Sequence, residues 1–266
     1  MKDPDPIPFD PWHPLRQVTA ARIALGRTGG SLPTREALDF RLAHARARDA
    51  VLSPFDAEAL ASELRTPGIE VIVVESAARD RAEFLQRPDL GRCLAPSSRA
   101  RLSERAASLP PADLAIVISD GLSTLAVMSQ AVTLLTELLS LLCEEGGWKL
   151  APLIVARQGR VALQDEIGEI FRARISLMLI GERPGLGNAD SLGGYFTFAP
   201  QVGRADSERN CVSNIHAGGL PPVEAARKLH FLLKESRRLA LSGVALKDDF
   251  PLLFGNTSGK LSESAD

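Results

Sequence analysis

Short apolar runs alternate with helical patterns over most of the chain. Each run is rich in Val, Ile and Leu and is bounded by Pro, Gly or polar residues, which is typical of buried strands. The runs predict strands over residues 69–74, 114–118, 152–156 and 175–180, with a further edge strand over 195–199. Because helical segments separate these strands, the pattern predicts an α/β fold with a doubly wound, mostly parallel sheet.

Three helices are predicted from the spacing of apolar residues. One opens at Pro33, with Thr34 as its expected cap, and another covers residues 162–171. The third is long and amphipathic, begins at Pro221–Pro222 and runs to about Leu241, since proline is tolerated in a first helical turn.

A fourth helix, over residues 122–143, is apolar on nearly all sides and carries Glu137 as its single charge. Such a helix is usually buried, either in a core or against another chain. Because Ser, Thr and Gln residues interrupt it and no basic residues flank it, we interpret it as a core or interface helix and not as a membrane span.

The same patterns divide the chain into three parts. Residues 1–60 form a Pro- and Gly-rich N-terminal arm followed by a helix; they have no expected core of their own and should pack on a partner chain. Within the arm, residues 1–9 are predicted to be disordered. Residues 61–248 carry the alternating strands and helices, and residues 249–266 are predicted to be a disordered tail.

Composition narrows the class of protein. The chain has 266 residues and a formal net charge of −2, which is ordinary for a globular protein and gives no support for nucleic-acid binding. Its three cysteines are widely spaced and form no CxxC motif, which argues against disulfides and zinc and favours a cytoplasmic location. The polar, proline-rich residues 1–14 do not have the pattern of a secretory signal.

Residues 177–187 combine a strand with a candidate binding turn. The apolar run ends in a turn that contains Glu182, Arg183, Pro184 and three glycines. In an open α/β sheet, ligands bind at the carboxyl ends of the strands, and glycine lets the backbone approach a ligand closely. The alternative is a tight turn that carries only a surface ion pair.

Residues 208–222 form a second candidate binding loop. It contains two asparagines, Cys211, Ser213 and His216 ahead of a helix start, and these groups hydrogen-bond amides and hydroxyls in fixed geometry. A Cys/His nucleophile pair is conceivable, but no third member is evident, so ligand binding is the better interpretation. A plain buried thiol at Cys211 is the other alternative.

The motifs of nucleotide-binding and hydrolytic enzymes are missing. No complete G-x-G-x-x-G follows the first strand, and the chain has neither a P-loop motif nor a G-x-S-x-G elbow. The segment Ser119-Asp120-Gly121 could bind an anion or a ligand amide. Alternatively, Ser119 or Ser123 simply caps the following helix.

In combination, these segments resemble the small (light) subunit of ethanolamine ammonia-lyase, over residues 10 to about 245. The longest matching segments are Gly181-Glu182-Arg183-Pro184-Gly185-Leu186-Gly187, Arg209-Asn210-Cys211-Val212-Ser213-Asn214-Ile215-His216-Ala217-Gly218-Gly219 and Pro221-Pro222-Val223-Glu224-Ala225-Ala226. Shorter ones are residues 10–12, 21–27, 118–123, 158–162 and 191–192.

The resemblance implies a subunit of an adenosylcobalamin-dependent lyase that converts ethanolamine to acetaldehyde and ammonia through radicals. It implies that a (β/α)8 large subunit holds the substrate, and that this chain supplies a Rossmann-like domain that closes over the corrin. Matching the motifs places cofactor contacts at Val161, Glu182 and Cys211, with no catalytic residue and no metal ligand on this chain.

The chain lacks the D-x-H-x-x-G motif, so no histidine replaces the cofactor's own base, and the resemblance likewise implies base-on binding. Because its sequence offers no barrel to steer the radicals, we expect no lyase activity from the chain alone. We expect a cytoplasmic location, either free or inside a bacterial microcompartment. The alternatives are a stand-alone nucleotide-using enzyme of the Rossmann type and a purely structural subunit that caps a partner barrel without touching the cofactor.

Overall fold

A computed structural model describes residues 10–19, 21–66 and 68–250. The predicted disorder of residues 1–9 and of all but the first two residues of the 249–266 tail concerns residues outside this range.

The described residues form one six-stranded sheet in the order β1-β3-β2-β4-β5-β6. Its strands are β1 Val71–Glu75, β2 Leu114–Ser119, β3 Leu153–Arg157, β4 Ile175–Gly181, β5 Leu192–Phe198 and β6 Arg209–Ile215. The predicted α/β class is confirmed, and the four predicted strands that precede residue 181 form within two residues of their expected ends.

The sheet is mixed, so the prediction of a mostly parallel sheet is not confirmed. Strands β1 to β4 pair in parallel, whereas β4–β5 and β5–β6 are antiparallel. The reason is the connection after β4: residues 182–191 contain no crossover helix, so the chain returns directly beside β4 as a hairpin.

Two sequence predictions fail in this antiparallel part. The predicted edge strand is interior, because β6 pairs along the outer side of β5. Much of the predicted loop at 208–222 is strand β6 itself. Only Val212 and Ile215 are buried apolar residues in β6, so the strand depends on its pairing with β5 more than on its own hydrophobic pattern.

Seven α-helices lie within the described residues. They are α1 Thr34–Leu52, α2 Ala57–Leu64, α3 Arg81–Gln86, α4 Pro96–Ala107, α5 Thr124–Glu145, α6 Leu163–Ile170 and α7 Pro222–Leu239. The expected cap at Thr34 is wrong: Thr34 is the first helical residue, and Pro33 precedes it without a side-chain hydrogen bond.

Helices cover both faces of the sheet and create two cores. Ile116 and Ile118 of β2 face a core formed with α2, α5 and α7, whereas Ala115 and Val117 face a core formed with α4 and α6. This alternation follows from the two-residue period of a strand, and it requires β2 to be apolar on both sides.

Helix α5 lies in the first core, as the sequence predicts for a core helix. By length and composition alone it is apolar enough to span a membrane, but Leu134 and Leu138 are fully buried against the protein. It is not apolar on nearly all sides, because four of its polar residues form one exposed row, while Thr124 and Gln130 are buried. The row consists of Ser129, Thr133, Thr136 and Ser140.

Candidate functional site

Val161, Glu182 and Cys211 lie around two adjoining clefts. Val161 follows β3, Glu182 follows β4 and Cys211 lies within β6. The larger cleft has a volume of about 600 Å³ and is lined by Val161 and Cys211, among others. The smaller has a volume of about 370 Å³ and is lined by Val161 and Glu182, and both clefts share Arg160 and Tyr195.

The turn after β2 and the end of β4 fit against each other along one side of the smaller cleft. The Leu122 N–H donates to the Gly181 carbonyl over 2.9 Å. A Cβ at Gly181 would lie 2.0 Å from the Ser123 carbonyl, and one at Gly121, whose φ is +52°, would lie 2.4 Å from the Gly181 carbonyl. Only glycine at both positions permits this main-chain contact.

The turn after β3 is held in place by Ser119 and Asp120. The Gln158 N–H donates to Asp120 Oδ1 over 2.6 Å, and the Gly159 N–H donates to Ser119 Oγ over 2.9 Å. These bonds support a left-handed backbone at Gln158, with φ of +57°. The turn leads directly to Val161.

These contacts show which serine near Ser119-Asp120-Gly121 caps the following helix. Ser119 and Asp120 bind a neighbouring turn, while the helix cap is Ser123, whose Oγ accepts from the Ala126 N–H over 3.1 Å. Burial raises the pKa of Asp120, and Arg81, whose Nη1 lies 2.8 Å from Asp120 Oδ2, partly offsets that rise.

Glu182 is half-buried at the mouth of the smaller cleft. Its Oε2 accepts from Ser191 Oγ over 2.6 Å and from the Asn214 N–H over 3.3 Å. No Arg, Lys or His within the described ranges forms an ion pair with it, so the alternative of a turn with a surface ion pair at Glu182 is wrong for these residues. A Cβ at Gly193 would lie 2.9 Å from Glu182 Oε1, which shows that the missing side chain makes room for the carboxylate.

Tyr195 and Cys211 are opposite each other on β5 and β6. Burial raises the pKa of the Tyr195 hydroxyl, and Cys211 adds to the rise. Cys211 reaches solvent at the cleft surface, but the surrounding walls desolvate it, and this burial raises the pKa of its thiol. A thiol with a raised pKa is a poor nucleophile at neutral pH.

His216 does not support a nucleophile pair with Cys211. Its Nδ1 accepts from the Gly218 N–H over 3.1 Å, so the ring proton lies on Nε2, which is 2.8 Å from Asn214 Oδ1. The ring is 4% exposed. Both nitrogens are therefore used within the protein: Nδ1 by the loop that follows β6, and Nε2 by Asn214 of β6 itself, with Asn188 Nδ2 3.0 Å away.

The larger cleft is lined by four arginines and one carboxylate: Arg92, Arg160, Arg204, Arg209 and Asp206. The guanidinium of Arg160 lies 4.1 Å from the centre of the Phe84 ring, and that of Arg81 lies 4.9 Å from it. Burial lowers the pKa of Arg160, and the positive charges of Arg81, Arg92 and Arg183 lower it further. Sequence reasoning assigned no role to Arg160 or Tyr195; only the position of Arg160 beside Val161 in the sequence could have indicated it.

A buried ion pair holds the first residue of β6 against α6. Arg209 donates to both oxygens of Asp165 in α6, each over 2.6 Å, and both side chains are almost completely buried. Arg209 also donates to Thr197 Oγ1 over 3.0 Å. The pair therefore ties β6 to the helix that follows Val161.

The fold and the clefts define an α/β protein with two open clefts that lie along the turns after β3 and β4 and along β6. In the part of the chain that the structure describes, no cluster of His, Cys, Asp or Glu could hold a metal ion. The clefts combine the apolar Val161, the carboxylate acceptor Glu182 and arginines such as Arg160. These groups can contact a ligand through its apolar surface, its hydrogen-bond donors and its negative charges.

Comparison with known proteins identifies the family. Residues 9–247 match the model of the ethanolamine ammonia-lyase light chain. The chain is 54% identical over 247 residues to the ethanolamine ammonia-lyase small subunit of Pseudomonas aeruginosa (strain LESB58), covering 92% of this chain and 90% of the relative. It is 54% identical over 250 residues to that of Azotobacter vinelandii, covering 94% and 92% of the two chains.

The chain belongs to the ethanolamine ammonia-lyase light chain family, and it is a subunit of a lyase.

Proposed function

We propose that this chain closes over adenosylcobalamin at an interface with the ethanolamine ammonia-lyase large subunit. The large subunit holds ethanolamine, and the assembled enzyme converts it to acetaldehyde and ammonia. Adenosylcobalamin supplies the radical chemistry when bound. This chain binds and orients the cofactor through the turns after β3 and β4 of its Rossmann-like domain and through β6, and it contributes no catalytic residue.

One observation carries this proposal. Val161, Glu182 and Cys211 come from three separate segments, yet all three line a pair of adjoining open clefts. A corrin is a broad, flat ring with amide side chains at its edge. Open clefts with an apolar residue and an unpaired carboxylate can cover one side of such a ring, and a partner chain must cover the other.

The donor set of the clefts fits base-on binding. Among the described residues that line the clefts there is no histidine, and His216 already uses both ring nitrogens. This chain therefore presents no imidazole to replace the cofactor's own dimethylbenzimidazole.

The N-terminal arm and α1 supply a surface for the large subunit. Large apolar side chains here are exposed, including Trp12 at 65%, Leu38 at 57% and Leu42 at 51%. Arg16 Nη1 donates to Glu36 Oε1 over 3.1 Å and ties the arm to α1. Exposed apolar residues on adjacent segments are typical of a protein interface, so we propose that residues 1–60 pack on the partner. The enzyme is expected in the cytoplasm, or within a bacterial microcompartment where one is present.

Reconstitution with the large subunit tests the proposal. Adenosylcobalamin binding and ammonia release are measured for each chain alone and for the complex, with Glu182→Ala and the exposed control Glu104→Ala in α4. We expect turnover only from the complex, and a loss of roughly tenfold in cofactor affinity for Glu182→Ala, as for one hydrogen bond to a charged group.

The control variant should keep the affinity of the unsubstituted complex. Turnover by this chain alone would favour a stand-alone enzyme. Unchanged affinity after substitution of both Glu182 and Val161 would favour a structural subunit that does not touch the cofactor.

A further inference from the structure

The two oxygens of the Glu182 carboxylate have different surroundings. Oε2 accepts from Ser191 Oγ and from the Asn214 N–H. Oε1 accepts from no protein group in residues 10–19, 21–66 and 68–250, and it lies over Gly193, where a Cβ would approach it to 2.9 Å. One oxygen is therefore held by the protein, and the other is available at the mouth of the cleft.

Ser191 is well placed to hold the carboxylate. Ser191 and Glu182 face each other at the end of the β4–β5 hairpin that its loop closes. There the Glu182 N–H donates to the Ser191 carbonyl over 3.0 Å. Ser191 is 9% exposed, so its hydroxyl has little access to water and is committed to Glu182. The side-chain bond and the main-chain bond together close a ring that restricts rotation of the Glu182 side chain.

We propose that Ser191 and the Asn214 N–H orient Glu182 so that only Oε1 faces the cofactor, and that this arrangement selects a peripheral amide over a carboxylate. This inference rests on the proposed function and concerns the specificity of the same clefts. Ser191 acts as a positioning residue through Glu182.

The preference for an amide over a carboxylate follows from which groups can donate a hydrogen bond and which can only accept one. An ionised carboxylate only accepts, so Oε1 requires an N–H from the ligand, and a primary amide supplies one. A ligand carboxylate has no proton to give and is repelled by Glu182. Arg160 and Arg183 line the same cleft, but no Arg, Lys or His among the described residues is ion-paired with Glu182, so the repulsion acts directly at Oε1.

The selectivity is measured on the complex of this chain with the large subunit. The probes are cyanocobalamin and its separated monocarboxylic acid derivatives, each with one peripheral amide converted to a carboxylate, and equilibrium dialysis gives the dissociation constants. We expect at least one derivative to bind roughly tenfold or more weakly than cyanocobalamin. Glu182→Gln should reduce that ratio for the same derivative, because the glutamine amide can donate to a carboxylate.

A double-mutant cycle tests the role of Ser191. Ser191→Ala should weaken binding of cyanocobalamin several-fold in the unsubstituted chain and have no further effect in a Glu182→Ala background. A purely structural contribution of Ser191 would persist in both backgrounds. An exposed serine in α4, Ser103→Ala, is the matched control and should leave binding unchanged.

The outcomes separate the inference from the function beneath it. If cyanocobalamin binds and Val161 or Cys211 variants weaken it, but Glu182→Gln leaves the derivative ratio unchanged or Ser191→Ala weakens binding equally in both backgrounds, the inference is wrong and the proposed function stands. If the complex binds no cobalamin, both are wrong.

Discussion

The central parallel strands β2 and β4 and the antiparallel edge strand β6 are buried to different extents. Every residue of β2 and β4 is buried, whereas only three of the seven residues of β6 are. The parallel half holds the two cores together and ends in the turns that carry Glu182 and Val161. The antiparallel half forms one wall of the clefts and carries Tyr195 and Cys211. Burial is therefore concentrated in the central parallel strands, whereas both halves of the sheet contribute residues to the clefts.

The largest effect is expected where the two halves are joined. Asp165→Ala removes the buried carboxylate that pairs with Arg209 and leaves only the exposed Asp206, 3.5 Å from its Nε, so it should lower the free energy of unfolding by about 3–5 kcal/mol. Denaturant unfolding of the purified chain measures this. The double change Asp165→Leu with Arg209→Met, which removes both charges, should recover most of the loss. A loss below 1 kcal/mol for Asp165→Ala would show that the halves are not joined through this pair.

A smaller loss is expected from a cavity in the parallel half. Leu179 of β4 is completely buried, so Leu179→Ala should cost about 2–5 kcal/mol of unfolding free energy. Leu186→Ala removes the same atoms from a residue that is 40% exposed, and it should cost no more than about 0.5 kcal/mol. Equal losses at the two positions would contradict the assignment of stability to the buried strand β4.

The smallest effect concerns the cleft wall. Because burial raises the pKa of the Cys211 thiol, its alkylation by iodoacetamide should have a pH midpoint above the ordinary value of about 8.5. Mass spectrometry of the modified peptides measures this, with a short peptide of residues 209–213 as the unfolded control.

The raised pKa also has a consequence for stability. The folded state holds the thiol proton more tightly than the unfolded chain does, so the contribution of Cys211 is complete below about pH 8.5 and is lost as the pH rises through the folded pKa. If Cys211 in the folded chain had the same pH midpoint of alkylation as Cys211 in the peptide, the cleft would not desolvate the thiol.

The halves also differ in how well the sequence predicts them. Runs such as Leu114–Ser119 are apolar on both faces, and this signal survives without knowledge of the partners of the strand. Strand β6 has Asn210, Ser213 and Asn214 among its residues, and the sequence alone indicates a loop. Its strand conformation is decided by pairing with β5, which no local pattern records.

The same distinction holds for the site. The turn with Glu182 was predicted at the end of a strand, because a buried run followed by glycines has a local signature. Three contacts of the site join residues that are 40, 9 and 32 positions apart in the sequence. They are Ser119 with Gly159, Ser191 with Glu182 and Asn214 with Glu182. Such contacts depend on the sheet order and cannot be obtained from spacing. The positions of Val161, Glu182 and Cys211 as cofactor contacts remain a prediction from family resemblance.

The interlocked main chains at Gly121 and Gly181 have a consequence for the evolution of the family. Any Cβ at one position collides with the backbone of the other segment, so neither turn can be reshaped by a single substitution. A change of ligand would have to come from side chains around a fixed frame, such as those at positions 161, 191 and 211. We therefore expect variation among relatives to accumulate in the lining of the clefts before it alters the path of the backbone that surrounds them.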